Sequence, residues 1–416
     1  MGLFSFLSDN RAKKNKRETP TVEGHYIKLG RRAAFVRYTC LLLVVLFAVY
    51  SFMAHKDDIT VENFRYMMRF VNIKEDAEKP KGTVLRFDGS DAARGLIYKG
   101  DLAVLSESGL AIYGWDGETT LKDAVAFDYP KMITNGDLLY CYDIGGKEIK
   151  VYNSYSRQET KIPAFDYPIH WVAASASGCF AVVSSAQSYR SAVYVYDKEY
   201  RLIYTCLFGN KYADFVDISA DGKEIIVAGH YAEKADITTF VSRYSVSSDT
   251  PLTEYSFIGE TPFGIYYTKS GYSLITGDCI RNYVVSGDEP AGVISFAGKK
   301  LMSARTYGDR SLVTYSTEGL SGGTELDVYD FGGKALYTVR FDTSLSDTLL
   351  CGDTVYALAP GELSLGRING GMTEKHYIPT AFTRLVPDGE RVILFSADTA
   401  RYFDKNNNDY TDGGTQ

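Results

Sequence analysis

The chain has 416 residues, of which 45% are hydrophobic, 23% charged and only 11 are proline, a balance that excludes wholesale disorder because there is ample apolar surface to bury. Its 33 tyrosines and 38 glycines suit pleated strands joined by tight turns, so the composition points to a mostly β protein. The formal charge of −7 is uneven: nine Lys/Arg against three acids put +6 on residues 1–37 and leave −13 on the remainder, and a body at −13 repels phosphate backbones, which argues against nucleic acid as a partner.

The opening Met1-Gly2-Leu3-Phe4-Ser5-Phe6 has Phe6 where N-myristoylation wants Ser or Thr. The basic run Asn10 to Arg17 is read as a solvated cytoplasmic tail, 1–37, that fixes topology and touches anionic lipid. Residues 38–54 then carry no charge, about 25 Å of helix, which reaches hydrocarbon thickness if Ala33 to Val36 join it and Arg37 snorkels. One transmembrane helix is predicted, retained rather than cleaved, because Phe52-Met53-Ala54 is a poor cleavage site. The positive-inside bias places the N-terminus in the cytoplasm and everything after residue 54 outside it. Within the juxtamembrane segment 55–81, Val61, Phe64, Met67/Met68 and Val71 recur at helical spacing behind Thr60 as N-cap, and a charged linker follows from Lys74 to Lys81.

From Gly82 onward three markers count the same repeat. A turn glycine opens an apolar strand at 100, 136, 178, 222, 271, 308, 352 and 389. A tyrosine follows in the next strand, at Tyr113, Tyr152, Tyr196, Tyr244, Tyr283, Tyr329 and Tyr402, with Gly366-Arg367-Ile368 in the remaining slot. A strand ending in Phe and then Asp or Gly closes each unit, at Phe87, Phe127, Phe165, Phe208, Phe257, Phe296 and Phe341, with Tyr377-Ile378 in the eighth place. Four antiparallel strands in about 40 residues make a β-propeller blade. The first Phe-ending strand, 82–88, precedes the first turn, and the last unit lacks one. Residues 82–404 are therefore predicted to form an eight-bladed propeller in which 82–88 pairs with 399–404 and closes the ring, with seven blades as the alternative. A polar tail, 405–416, follows.

An apolar helix, a short second helix and Tyr-rich repeats in this order resemble an uncharacterised family of membrane-anchored, propeller-like proteins of clostridial, Gram-positive bacteria. The resemblance implies an extracytoplasmic bacterial protein and transfers no catalytic residues. The repeats are also similar to quinone-dehydrogenase-type and WD40-type blades, although Trp115-Asp116 is the one Trp-Asp pair.

Motifs with chemical content are few. Gly319-Leu320-Ser321-Gly322-Gly323 matches a nucleophile elbow but joins two predicted strands, where a glycine-rich hairpin is expected. Asp404 to Asp412 spaces oxygen ligands like a calcium loop, yet has Asp409 at the glycine position and Thr415 at the bidentate Glu position. His170, His230 and His376 fall in different units, and the five cysteines outside the apolar helix show no C-x-x-C spacing, so no metal, disulfide framework or cofactor is expected. The repeated tyrosines sit at one place per blade, as core packing requires, rather than forming a sugar platform.

Uneven loops mark function on a regular scaffold. Units three, four and six run 18, 22 and 21 residues from turn glycine to mid-blade mark, against 12 to 16 elsewhere, which predicts enlarged hairpins on the face that also carries the interblade connections. That face is expected to gather Tyr129, Lys131, Tyr167, His170, Trp171, Tyr189, Arg190, His230 and Tyr231. The expected role is a membrane-anchored scaffold that binds a protein or envelope component; a small-ligand or carbohydrate sensor comes next, and an enzyme whose site is assembled across blades comes third.

Overall fold

The structure is a computed structural model describing residues 22–54, 84–90, 93–153, 156–158, 162, 164–233, 235–317 and 322–405. The expected helix 59–71, the charged linker, the serine of the elbow-like motif and the calcium-like tail beyond Lys405 lie outside these residues.

The chain divides into two units, residues 1–72 and 73–416. The first contains a single described helix, Val22–Ala54, of 33 residues. It runs well beyond the predicted 38–54, because Lys28, Arg31, Arg32 and Arg37 limit where a helix can sit in hydrocarbon without breaking the helix itself. Its apolar stretch, Leu29–Met53, spans 25 residues, about 37 Å at helical rise and long enough to cross a bilayer. Within it the Thr39 hydroxyl donates to the Phe35 carbonyl at 2.9 Å, so this polar group is satisfied inside the helix.

The second unit contains eight four-stranded antiparallel sheets in a ring. Blades 1 to 7 occupy residues 94–123, 130–158, 169–208, 212–258, 262–295, 300–341 and 347–377, their strands stacked outward in chain order. Blade 8 takes its three inner strands from 384–402 and its outermost strand from Val84–Arg86. Val84 pairs with Arg401, Leu85 with Ala400 and Arg86 with Thr399, so the predicted closure is present and the seven-bladed alternative is not. Leu85, 1% exposed, packs with Phe87, Ile393 and Phe395 of blade 8 and with Leu102, Val104 and Trp115 of blade 1.

The three sequence markers have distinct physical jobs. The turn glycines take positive φ, from 55° at Gly352 to 97° at Gly136, except Gly271. There a side chain would strike the Tyr283 carbonyl of the neighbouring strand, so close approach rather than handedness requires glycine. Tyr113, Tyr152, Tyr196, Tyr244, Tyr283 and Tyr402 are buried, and Ile368 takes the substituted slot. Rings stack between strands of a blade, as Tyr196 does on Phe180 at 5.0 Å. In the eighth closing slot Ile378 is buried and Tyr377 is exposed. All six cysteines are free, and Cys141, Cys206, Cys279 and Cys351 are buried in strands or at their ends.

The enlarged hairpins differ in kind. In blade 4 the extra residues lengthen the strands, Glu224–Glu233 against Asp236–Ser245, ten residues each. In blade 3, Phe180–Ala186 and Tyr189–Tyr196 are joined by only two residues, Gln187 and Ser188, the latter at φ 67°. Only blade 6 leaves a longer connection, between Ser316 and Thr324.

Candidate functional site

Antiparallel order puts the second-to-third-strand hairpins and the interblade connections on one face of the ring, and the remaining turns on the other. The innermost strand of every blade starts at this hairpin face. In blades 3, 4, 5 and 6 its pairing with the second strand slips by one residue close to that start, between Ile169 and Trp171, Ala213 and Phe215, Pro262 and Gly264, and Leu301 and Ser303. Blades 1, 2, 7 and 8 pair without a slip at this place. A bulge frees one residue from the ladder and re-aims its side chain. The four residues so freed are His170, Asp214, Phe263 and Met302. Gly229, opposite the blade 4 bulge, has no room for a Cβ, which would lie 1.9 Å from the Tyr212 carbonyl oxygen.

Blades 3 and 4 bring six of the nine expected residues together. His230 Nδ1 lies 2.6 Å from Asp214 Oδ2, and the imidazole stacks on Tyr212 with ring centroids 5.3 Å apart. Arg190 donates from Nη1 to the Tyr212 hydroxyl at 3.0 Å. Burial pushes the Asp214 carboxyl up, against the opposing pull of His230 and then His170. Trp171 meets Phe215 edge to face at 5.1 Å and is partly packed into the core between blades 3 and 4, as is Tyr231, so each offers only part of its ring to a partner. Tyr189 stands exposed at the tip of the blade 3 hairpin. Tyr129 and Lys131 lie apart, while Tyr167 sits beside the blade 3 hairpin, its carbonyl accepting the Ser184 hydroxyl at 3.2 Å. Tyr129 is exposed on the connection into blade 2, where its backbone N–H donates to Asp143. Lys131 follows it, with its ammonium pKa lowered by partial burial and by the Arg94 charge. Tyr167 lines a 300 Å³ cavity with Phe165 and Tyr194.

Sequence reasoning missed the continuation of this face across blades 4 to 6. Ile237, Ile258, Phe263 and Met302 are all exposed there, Ile258 to 71% and Phe263 to 55%. One signal was available. Thr261-Pro262-Phe263 repeats, at the entry to blade 5, the X-Pro step of Tyr129-Pro130-Lys131 and Tyr167-Pro168-Ile169, and proline belongs at the first residue of a strand or at a bulge.

The opposite face has a 690 Å³ cavity spanning blades 3 to 6, lined by Ser175, Ser219, Asp217, Asp221, Glu224 and Lys269, among others. Asp217 is its most perturbed carboxylate: burial raises its pKa to about 6, although it accepts the backbone N–H of Tyr267 at 2.7 Å and of Ile218 at 2.9 Å. Among the described residues no group of three His, Cys, Asp or Glu is arranged to hold a metal ion. His376 meets Phe403 edge to face at 4.9 Å, away from the other two propeller histidines.

No curated protein sequence matches the chain. Solved structures do. BamB from Moraxella catarrhalis aligns with 12% identity over 79% of this chain and 98% of its own, at a TM-score of 0.51. The computationally designed Ika8 protein aligns with 12% identity over 78% and 100%, at 0.57. The C-terminal WD40 domain of Sif2 aligns with 10% identity over 77% and 99%, at 0.52. At such identities the likeness is one of fold. The family is settled by sequence, since residues 81–409 match a family of unknown function, DUF5711, and the chain belongs to that family.

Proposed function

We propose that the chain is a membrane-anchored docking module whose hairpin face, over blades 3 to 6, binds a protein or a cell-envelope component. The observation that carries this reading is the run of four bulges. They turn His170, Asp214, Phe263 and Met302 out of their ladders on adjacent blades and nowhere else at that level of the ring. Around them lie exposed Tyr189, Tyr212, Ile237 and Ile258, beside the hydrogen-bonded His230 and Asp214. Aromatic and aliphatic anchors at the centre, with a polar surround, are the composition of protein interfaces. In this reading residues 1–37 form a cytoplasmic tail, 38–54 the membrane span and 55–81 a tether. The propeller of 82–404 is then extracytoplasmic and ends in the polar segment 405–416.

A photo-crosslinking amino acid at Phe263 tests it in intact membranes, with the same probe at Val284, exposed at the turn-face end of its strand, as control. A discrete adduct from Phe263, lost in Ile258→Asp and absent from Val284, is expected. Adducts equal at both positions, or retained in Ile258→Asp, refute the assignment. Trp171→Ala with Tyr167→Ala tests the blade 3 end of the same face. Protease added to intact spheroplasts should remove the propeller and spare the basic tail; the reverse pattern overturns the topology.

A further inference from the structure

Several charged side chains buried in the ring are compensated in pairs. Glu260 receives both Nη atoms of Arg281 at 2.5 and 2.6 Å. Glu325 holds Lys299 and Arg340, each at 2.6 Å, and Asp327 holds Lys299 at 3.0 Å. The closest comparison is Asp347 of blade 7. Its carboxylate accepts the N–H of its own neighbour Thr348 and that of Leu385 in the next blade, both at 2.9 Å, and Arg305 Nη1 neutralises it at 2.9 Å. Asp217 of blade 4 makes the same strut, to Ile218 and to Tyr267 of the next blade. Among the described residues no cation lies within ion-pair distance of it. A buried carboxylate without a counter-charge is costly, and its hydrogen bonds offset only part of that cost. Where Asp347 has a guanidinium, Asp217 has the 690 Å³ cavity.

The other carboxylates at this cavity already face cations, and its lining lysine, Lys269, makes no ion pair with Asp217 among the described residues. Glu224 faces Arg243 at 3.6 Å and Asp221 faces Lys223 at 3.7 Å. What is left is one uncompensated carboxylate among the hydroxyls of Ser175, Ser219 and Thr268. We infer that the turn-face cavity of blades 3 to 6 binds a small organic amine, its ammonium seated against Asp217 and its remaining polar groups on the serine and threonine hydroxyls. The volume is within the range of small-molecule sites and larger than an ammonium group alone requires. Nothing in this inference depends on the docking reading, which concerns the opposite face.

Calorimetric titration of the full-length protein in detergent, in amine-free buffer, tests the site with putrescine as probe. Butane-1,4-diol serves as the neutral isostere. Putrescine should bind saturably at pH 7.5 and the diol should not. Affinity should fall about tenfold by pH 5, because protonating Asp217, whose pKa lies at about 6, removes the charge the ammonium needs. Asp217→Asn should weaken binding at least tenfold. Ala176→Phe, which fills the cavity from an exposed lining position and keeps the carboxylate, should do the same without altering thermal unfolding. Binding of the diol as tight as that of putrescine overturns the inference. So does putrescine binding that survives both substitutions, which would mark it as diffuse attraction to an acidic chain. The absence of saturable binding at millimolar putrescine overturns it as well.

Discussion

Asp217 also sets a pH dependence of stability that can be isolated by one substitution. Its folded pKa of about 6 lies above the ordinary aspartate value of 3.8, so folding favours the protonated acid. The sign follows from linkage: well below pH 3.8 the residue carries no penalty, the buried charge progressively destabilises the ring as pH rises from about 4 to 6, and above that the penalty is complete. A displacement of about 2 pK units corresponds to about 3 kcal/mol once titration is complete, a substantial share of the 5–15 kcal/mol typical of a folded domain. Asp217→Asn keeps a carbonyl oxygen for the Tyr267 N–H and removes the charge. The difference in stability between variant and wild type should therefore move by about 2 kcal/mol in favour of the variant between pH 4.5 and 7.5, because about a third of the penalty is already present at pH 4.5. The comparison must be a difference, because Glu325 pulls the other way. Lys299 and then Arg340 hold its carboxyl below the usual range, so its contribution is lost as pH falls. Urea unfolding in amine-free buffer, followed by tryptophan fluorescence, reads the ring directly, since Trp115 and Trp171 both lie in it. Parallel pH profiles for the two proteins, or a variant that loses ground as pH rises, would refute the reasoning.

Three further outcomes follow from the packing. Leu85→Ala empties a buried site at the ring closure and should cost roughly 2–5 kcal/mol, read as a lowered urea midpoint with early proteolytic cleavage near residue 90. Gly229→Ala forces a Cβ into the Tyr212 carbonyl opposite the Asp214 bulge, so it should destabilise blade 4 and loosen the His230 to Asp214 contact, whereas Gly209→Ala, which meets nothing within 4 Å, should change stability little. Glu260→Ala leaves Arg281 buried without its bidentate partner and should cost about 3–5 kcal/mol, while the paired replacement Glu260→Leu with Arg281→Met should recover most of that in a double-mutant cycle.

The scaffold was legible because its constraints repeat. Turn glycines at positive φ, buried tyrosines in third strands and packed aromatics at the ends of blades recur in most of the eight units. The ring closure could be read from one displaced marker, Phe87. The helix boundary was less legible. Arg37 marks the near end of the uncharged stretch 38–54, but nothing in backbone chemistry stops a helix at arginine, and it starts at Val22. The face was legible only in part. A one-residue bulge leaves no mark on a repeat whose period already varies from 36 to 49 residues. Asp214, Phe263 and Met302 therefore read as ordinary strand positions. The long blade 4 hairpin was visible as added length, but whether that length would become loop or strand depended on cross-strand pairing, which runs to Glu233 and Asp236.

The slips of the innermost strands coincide in one arc of the ring, away from the closure. Blade 8 is held by a three-residue outer strand, and its neighbours, blades 7 and 1, begin with unslipped pairings. The slips of blades 1 and 7 lie farther out, between third and fourth strands, at Ile112/Tyr113 and Leu365/Gly366. Blades 3 to 6 are each made of one continuous stretch of chain, so a local slip is absorbed within the blade that carries it. On the hairpin face those slips free four side chains, and the ten-residue strands of blade 4 carry its hairpin about three residues, or roughly 10 Å, beyond a seven-residue strand. On the turn face the same four blades surround the cavity that contains Asp217. One arc thus presents an apolar, bulged surface at one end and an acidic cavity at the other, joined by the innermost strand of blade 4, Tyr212–Ile218, which carries Asp214 towards the first and Asp217 towards the second.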